Sequence, residues 1–589
     1  MLFDKLSKAK NYEKQGEYSK AISIYEKLSS KGNKEAQFRL GLCYENGLGV
    51  DRNFCVAFEL FEKASAQNHA NAQCWLGYKY EHGLGVAMNF GKAFECYKKS
   101  AEQNYYVAQY NLGTCYEVGK GTQQNHTRAL EWYKKSAKQN YLSAQYKTGY
   151  FYSRGIGTTE DPVLAYIWFK KAAEQNNTNA QFELASCYEF GKGIQENLNE
   201  AFKWCQKAAN QGHKDAQYTL ALYYEEGTGT KVNLKKAFEW YKKLADQGES
   251  DAQYYLAIFY EEGKGTEKDL TKAFEWYQKS AINGHPDAQY RLAYCYKYAK
   301  GTEKNLTEAF KWYKEAAQQE YTDAQLSLGY SYNNGIGTEQ NSAKAFEWYT
   351  KAAEKGNVTA QYNLAICYKK GTGTEKNLTK AFEWYKKSAD QGDSDAQYQV
   401  ALCYKNGNGT EMDPVQALEY FEKSADRGNE KSYEKLAEMY FNGIEPIKKD
   451  LSKAQQWCTK AGLEKPWAKE LFDAITVEIE KEEKLKIAQK ATSLQKFLES
   501  RLSDETPDFS LPSDEENETI FHTFTNDELY RFALMKEKNG ELSHAIFLLG
   551  VLASFGYRKA LYTLSNMSQL HTEYFMYIED YSEEEGNEQ

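Results

Sequence analysis

Apolar residues recur in this chain at helical spacing, and they do so on a fixed period. In the stretch 252–287, AQYYLAIFYEEGKGTEKDLTKAFEWYQKSAINGHPD, Ala252, Leu256 and Tyr260 stand at i, i+4 and i+8, one stripe of a helix. Leu270, Ala273, Phe274, Tyr277 and Ala281 follow at spacings of three and four and form a second stripe. Gly263 lies between the stripes and predicts a helix C-cap, because glycine accepts the left-handed conformation that a cap needs. Gly265 adds a second flexible point, and Gly284 with the polar residues after it predicts a return loop. The unit is therefore helix, Gly-x-Gly turn, helix, loop.

Residue 288 starts the same text again. An Ala-Gln pair opens each copy at Ala36, Ala72, Ala108, Ala144, Ala180, Ala216, Ala252, Ala288, Ala324, Ala360 and Ala396, always 36 residues apart. Self-similarity at such a period is the mark of a solenoid. With the opening Ala as slot zero, slot five holds only Gly or Ala (Gly41, Gly77, Ala185, Ala257, Ala401), which predicts close approach of a neighbouring helix. A single copy is too small to fold alone. Ordering each residue costs roughly 1–2 kcal/mol of backbone entropy, whereas a buried large side chain returns about 1.5–3 kcal/mol. Stability must reside in the interfaces between copies.

The pattern Leu-(Gly/Ala)-x-x-Tyr-x-x-Gly-x-Gly, followed by Lys-Ala-Phe-Glu-Trp-Tyr-x-Lys-(Ser/Ala)-Ala, resembles the Sel-1-like repeat, a relative of the tetratricopeptide repeat with a longer, Gly-rich turn. The resemblance implies an all-α fold, an α-solenoid winding as a right-handed superhelix of helix-turn-helix repeats. It also implies a non-enzymatic scaffold or adaptor that holds proteins or extended peptides in a concave groove. Relatives act in settings from signalling and complex assembly to quality control of misfolded proteins. A quality-control or degradation adaptor, or a purely architectural repeat protein, is the alternative; an enzyme with a cryptic C-terminal site is the more distant one.

Taken in order, residues 1–35 read as a shorter, tetratricopeptide-like capping unit, with Gly16-Glu17-Tyr18 in place of the long turn. Eleven copies fill 36–431. Ala299 replaces the first turn glycine of its copy, so that turn is expected to bend differently, since a left-handed Ala costs about 1–2 kcal/mol. A twelfth, irregular copy spans 432–465, with one residue inserted in its turn. Residues 466–502 read as a charged helix, either capping the last repeat or forming a coiled coil. Residues 503–525 read as an acidic, disordered linker, because no Lys or Arg occurs between Arg501 and Arg531. Residues 526–589 restart the grammar as a degenerate tetratricopeptide-like unit with an acidic tail.

Net charge is −9 and the isoelectric point about 5.7, which argues against nucleic acid as the main partner. The start MLFDKLSKAK lacks an apolar core, and the longest mostly apolar run, 545–557, is short for a bilayer span of roughly 20 residues. These features predict a cytoplasmic protein without membrane insertion. Cys43, Cys115, Cys187, Cys295, Cys367 and Cys403 share slot seven, where other copies hold Phe151, Tyr223 or Phe259; they read as packing residues with free thiols. His69, His213 and His285 share one loop slot and read as solvated. The turn GTGTEK at 371–376 lacks the Gly-x4-Gly-Lys-Ser/Thr spacing of a phosphate loop. No Ser/His/Asp or Cys/His constellation can be assembled. No catalytic residue, cofactor or metal is expected.

The candidate binding residues come from slots two, six, nine and ten, which the tetratricopeptide resemblance places in the groove. Slot two carries Tyr110, Tyr146, Tyr218, Tyr254, Tyr290, Tyr362 and Tyr398. These rings are read either as inter-repeat packing or as a ladder that stacks on a peptide. Slot nine reads Glu45, Glu81, Glu117, Glu189, Glu225 and Glu261, then Lys297, Lys369 and Lys405, with Lys370 extending the later sign. Read as a field, that reversal orients a partner more than it tightens binding. The acidic linker 503–525 is a candidate intramolecular occupant of the basic half.

Overall fold

The computed structural model describes residues 2–501, 524–554, 560 and 563. Among these there are 29 helices and no strand, and the helices pair as hairpins in an α-solenoid. Contacts divide the chain into two units, Met1–Trp348 and Tyr349–Gln589.

The hairpin opened by Ala252 shows how the sequence folds. Its first helix, Ser250–Glu262, ends where Gly263 turns left-handed at φ 76° and returns its N–H to the Phe259 carbonyl. Asp269 caps the second helix, Leu270–Ile282, by accepting from the Lys272 N–H. The Asp269 N–H in turn donates to the Tyr260 carbonyl at 2.9 Å and closes the turn. Ala252, Leu256, Ala257 and Tyr260 are buried against Ala273, Tyr277 and Ala281, the two stripes that the spacing predicts.

The second turn glycine locks one hairpin onto the one before it. Gly265 has φ 63°, and a Cβ there would lie 2.2 Å from the Leu234 carbonyl oxygen, at the start of the preceding second helix. Slot five is small for a related reason: a Cβ on Gly41 would sit 2.7 Å from the Phe61 ring. Ala299 corrects the expectation of a differently bent turn. It adopts the left-handed conformation itself, at φ 56°, and its N–H reaches the Cys295 carbonyl as a glycine's would. Neighbouring contacts hold the turn, and the alanine takes the strain.

Two ladders join successive hairpins. Aromatic rings meet edge to face, as in Phe238 on Tyr260 (5.3 Å between centroids, 87°) and Phe274 on Tyr296 (5.2 Å, 86°). The Gln of most Ala-Gln pairs forms the second ladder, the side-chain oxygens of Gln217, Gln325 and Gln397 having no partner among the described residues. Gln253 donates to the Ala245 carbonyl at the end of the preceding hairpin, and its own oxygen accepts from Asn283 at 3.0 Å. Gln109 does the same with Ala101 and Gln139. A buried amide with both ends engaged fixes register without a desolvation penalty.

In the second unit, the twelfth turn is one residue longer. Its closing hydrogen bond runs from the Asp450 N–H to the Tyr440 carbonyl, ten residues back instead of nine. The helix Pro466–Arg501 then packs Leu471, Phe472, Ile475 and Ile479 on the last hairpin. Its far end packs Leu494, Phe497 and Leu498 against Leu529, Ala533 and Ile546 of the helices Asn526–Lys538 and Leu542–Ser554. The proposed linker lies outside the described residues except for Phe524 and Thr525, as does most of the chain beyond 554.

Candidate functional site

First helices bury slots zero, one, four and five and leave slots two, three, six, nine and ten less covered. The tyrosines of slot two are half-buried, each against a ring of its own second helix. Tyr110 meets Tyr133 at 5.4 Å, Tyr218 meets Tyr241 at 5.9 Å and Tyr254 meets Tyr277 at 6.0 Å. Tyr146 meets Phe169, Tyr290 meets Tyr313, Tyr362 meets Tyr385 and Tyr398 meets Phe421 in the same way. Burial raises the pKa of all seven phenols.

The return loop closes over several of these rings, and there the histidine reading is corrected. His285 stacks on Tyr254 at 4.7 Å and His213 on Phe182 at 4.8 Å. The Nδ1 atoms of His69, His213 and His285 accept the N–H of Ala72, Ala216 and Ala288. These imidazoles are helix N-caps under aromatic rings, not solvated loop residues. The sequence carried the signal: Asn177 and Asn357, good N-cap formers, occupy the same slot.

The glutamates of slot nine are engaged within the solenoid. Glu81 accepts from the Tyr97 hydroxyl at 2.6 Å and from Lys120 Nζ at 2.6 Å. Glu117 is held by Tyr133 and Lys147, Glu225 by Tyr241 and Lys264, and Glu261 by Tyr277 and Lys300. Glu45 pairs with the fully buried Lys79, and Glu189 accepts from Tyr223 at 2.7 Å. Burial alone would raise the Glu81 pKa, but the bonds from Lys120 and Tyr97 outweigh it and lower the value. Sequence reading missed the counter-charges, although Lys120, Lys264 and Lys300 share one turn slot of the following copy.

The lysines of slot nine are held differently. Lys297 Nζ lies over the rings of Tyr298 and Tyr330, at 5.1 and 5.4 Å from their centroids. Lys369 donates to Gln399 at 2.9 Å, and Lys405 is 4.0 Å from Glu438. Lys370 is exposed at the end of the helix Val358–Lys370. Slots six and ten supply exposed aromatic surface that slot two does not: Tyr298 is 52% exposed, Tyr330 46% and Phe190 61%.

All eleven cysteines are free, and those of slot seven are buried. Burial pushes the Cys115 thiol up to about 12. Among the described residues, no group of three or more His, Cys, Asp or Glu is placed to hold a metal ion. No helix there is long and apolar enough to cross a membrane.

Paired helices, a Gly-rich turn and ladders between hairpins define a tetratricopeptide-like helical-repeat protein. The chain belongs to the Sel1 repeat family: the Sel1 repeat matches twelve times in succession, from 34–69 to 431–464. It is similar to c5321, a protective antigen present in uropathogenic Escherichia coli strains and displaying an SLR fold. Identity is 32% over 77% of this chain and 97% of that one, with a TM-score of 0.63. A Sel1 repeat protein from Oxalobacter formigenes is 30% identical over 52% of this chain and 90% of its own, with a TM-score of 0.45. Comparison with curated protein sequences gives no match.

Proposed function

We propose that the chain is a non-catalytic scaffold that binds partner proteins, or extended peptides from them, along the face formed by its first helices. One observation carries this reading. Slots six and ten present large aromatic rings to solvent, Tyr298 and Tyr330 foremost, on a face that hairpin packing leaves uncovered. Exposed aromatic side chains supply contact area at low entropic cost and are typical anchors of interfaces. The burial of slot two supports giving its tyrosines mainly to packing, with their outer edges lining the binding face. The free, buried thiols suit a reducing, cytoplasmic setting.

The test is capture of partners from native extract on the immobilised full chain. The variant Tyr298→Ala/Tyr330→Ala should lose specific partners. A control on the exposed second-helix surface, Glu239→Ala/Glu275→Ala, should retain them. Equal capture by both variants would contradict the assignment of the face.

A further inference from the structure

Four copies show how this solenoid binds a carboxylate. In each, slot nine is Glu, and its oxygens are held by a tyrosine hydroxyl from slot 25 of the same copy and by a lysine from the next. The pairs are Glu81 with Tyr97, Glu117 with Tyr133, Glu225 with Tyr241, and Glu261 with Tyr277. Two copies keep the tyrosine and reverse the charge. In the first unit, Lys297 stands at slot nine and Tyr313 at slot 25; in the second unit, Lys369 and Tyr385 occupy those slots.

Tyr313 is 3% exposed and Tyr385 1%, yet neither hydroxyl has an acceptor among the described residues. Both hydroxyl oxygens reach solvent, whereas phenylalanine fills the same slot elsewhere, at Phe61, Phe169 and Phe421. Among the described residues, Lys297 lies over ring faces and Lys369 donates to a neutral amide. Each copy thus keeps the tyrosine donor and carries a lysine in place of the acid.

We infer that Lys297 with Tyr313, and Lys369 with Tyr385, are carboxylate-binding sites, each taking an Asp or Glu side chain from an acidic, extended segment of a partner protein. The ligand's carboxylate takes the place that Glu261 fills in its own copy, accepting from the tyrosine hydroxyl and pairing with the lysine. At the first site, the exposed rings of Tyr298 and Tyr330 flank the lysine and give the peptide apolar surface beside its charge. The contrast with Lys405 supports the assignment: there slot 25 is Phe421, and the lysine has Glu438 within the chain. The inference deepens the scaffold reading and rests on it.

The experiment uses the full chain and two fluorescein-labelled dodecapeptides, one of alternating Glu and Tyr, the other with Gln for every Glu. Fluorescence anisotropy at low salt should show the Glu peptide binding about tenfold tighter or better, an advantage that fades with screening. Lys297→Glu/Lys369→Glu restores an acid at slot nine beside each tyrosine and should lose about tenfold or more for the Glu peptide alone. Tyr313→Phe/Tyr385→Phe keeps the rings and should lose about tenfold. Should the charge variant unfold, the phenylalanine pair still decides. Equal binding of the two peptides, or unchanged binding by the phenylalanine variant, would overturn the sites while leaving the scaffold reading to the capture test. If Asp514→Asn/Glu515→Gln/Glu516→Gln in the full chain tightens the Glu peptide, this chain's own acidic segment competes for the sites, and the assignment to a partner falls.

Discussion

At the scale of the residue, His213 makes stability depend on pH. Its imidazole is half-buried beneath Phe182, and burial lowers its pKa below the ordinary 6.5. Its Nδ1 must be unprotonated to accept the Ala216 N–H. The unfolded chain therefore binds a proton at higher pH than the folded one. The resulting stability is present above pH 6.5 and is lost as pH falls from there through the folded pKa. We predict that His213→Asn keeps the cap, as Asn177 and Asn357 do, and removes this dependence. Between pH 7.5 and 5.5, the urea midpoint of the parent should fall further than that of the variant, with a cap worth about 1 kcal/mol setting the scale. Identical pH profiles would show that the ring does not cap when folded. The loop slot was legible as polar, but its burial was not, because the covering ring comes from 31 residues earlier in the chain.

At the scale of the element, the hairpin could be read almost completely from spacing. The stripes, the first glycine as a C-cap and the inserted residue of the twelfth turn all act within one copy, where sequence distance and spatial distance agree. The two turn glycines look alike in the sequence and differ in space. A Cβ on Gly263 would first meet Lys268 of its own turn, at 3.3 Å, whereas one on Gly265 would lie 2.2 Å from the Leu234 carbonyl oxygen of another hairpin. Gly263→Ala should therefore cost about 1–2 kcal/mol, the strain that Ala299 already bears. Gly265→Ala should cost more, by an amount that reports the displacement of the preceding hairpin. Conversely, Ala299→Gly should stabilise by about 1 kcal/mol. Denaturant midpoints of the three variants check the order; equal losses for the two glycine substitutions would contradict the docking role of the second.

At the scale of the whole molecule, the period dictated a solenoid and a family, but not which side chains remain available to a partner. Slot nine illustrates the limit. Its change of sign is plain in the sequence, yet Glu81, Glu117, Glu225 and Glu261 are matched internally by a tyrosine of their own copy and a lysine of the next, while Lys297 and Lys369 stand in copies that keep the tyrosine without the acid. The slot-two rings lie half-buried against second-helix rings, while slots six and ten, less regular in the text, hold the exposed rings. Regularity along a repeat chain reports the core, and departures from it report the surface that is free to differ between copies. The central claim is that partners bind the first-helix face. Photo-cross-linking tests it most directly, with benzoylphenylalanine placed singly at Tyr298, Tyr330, Glu239 or Glu275 in the full chain and irradiated in native extract. The account predicts partner adducts from Tyr298 and Tyr330 and none from Glu239 or Glu275; adducts from the second-helix positions alone would contradict it.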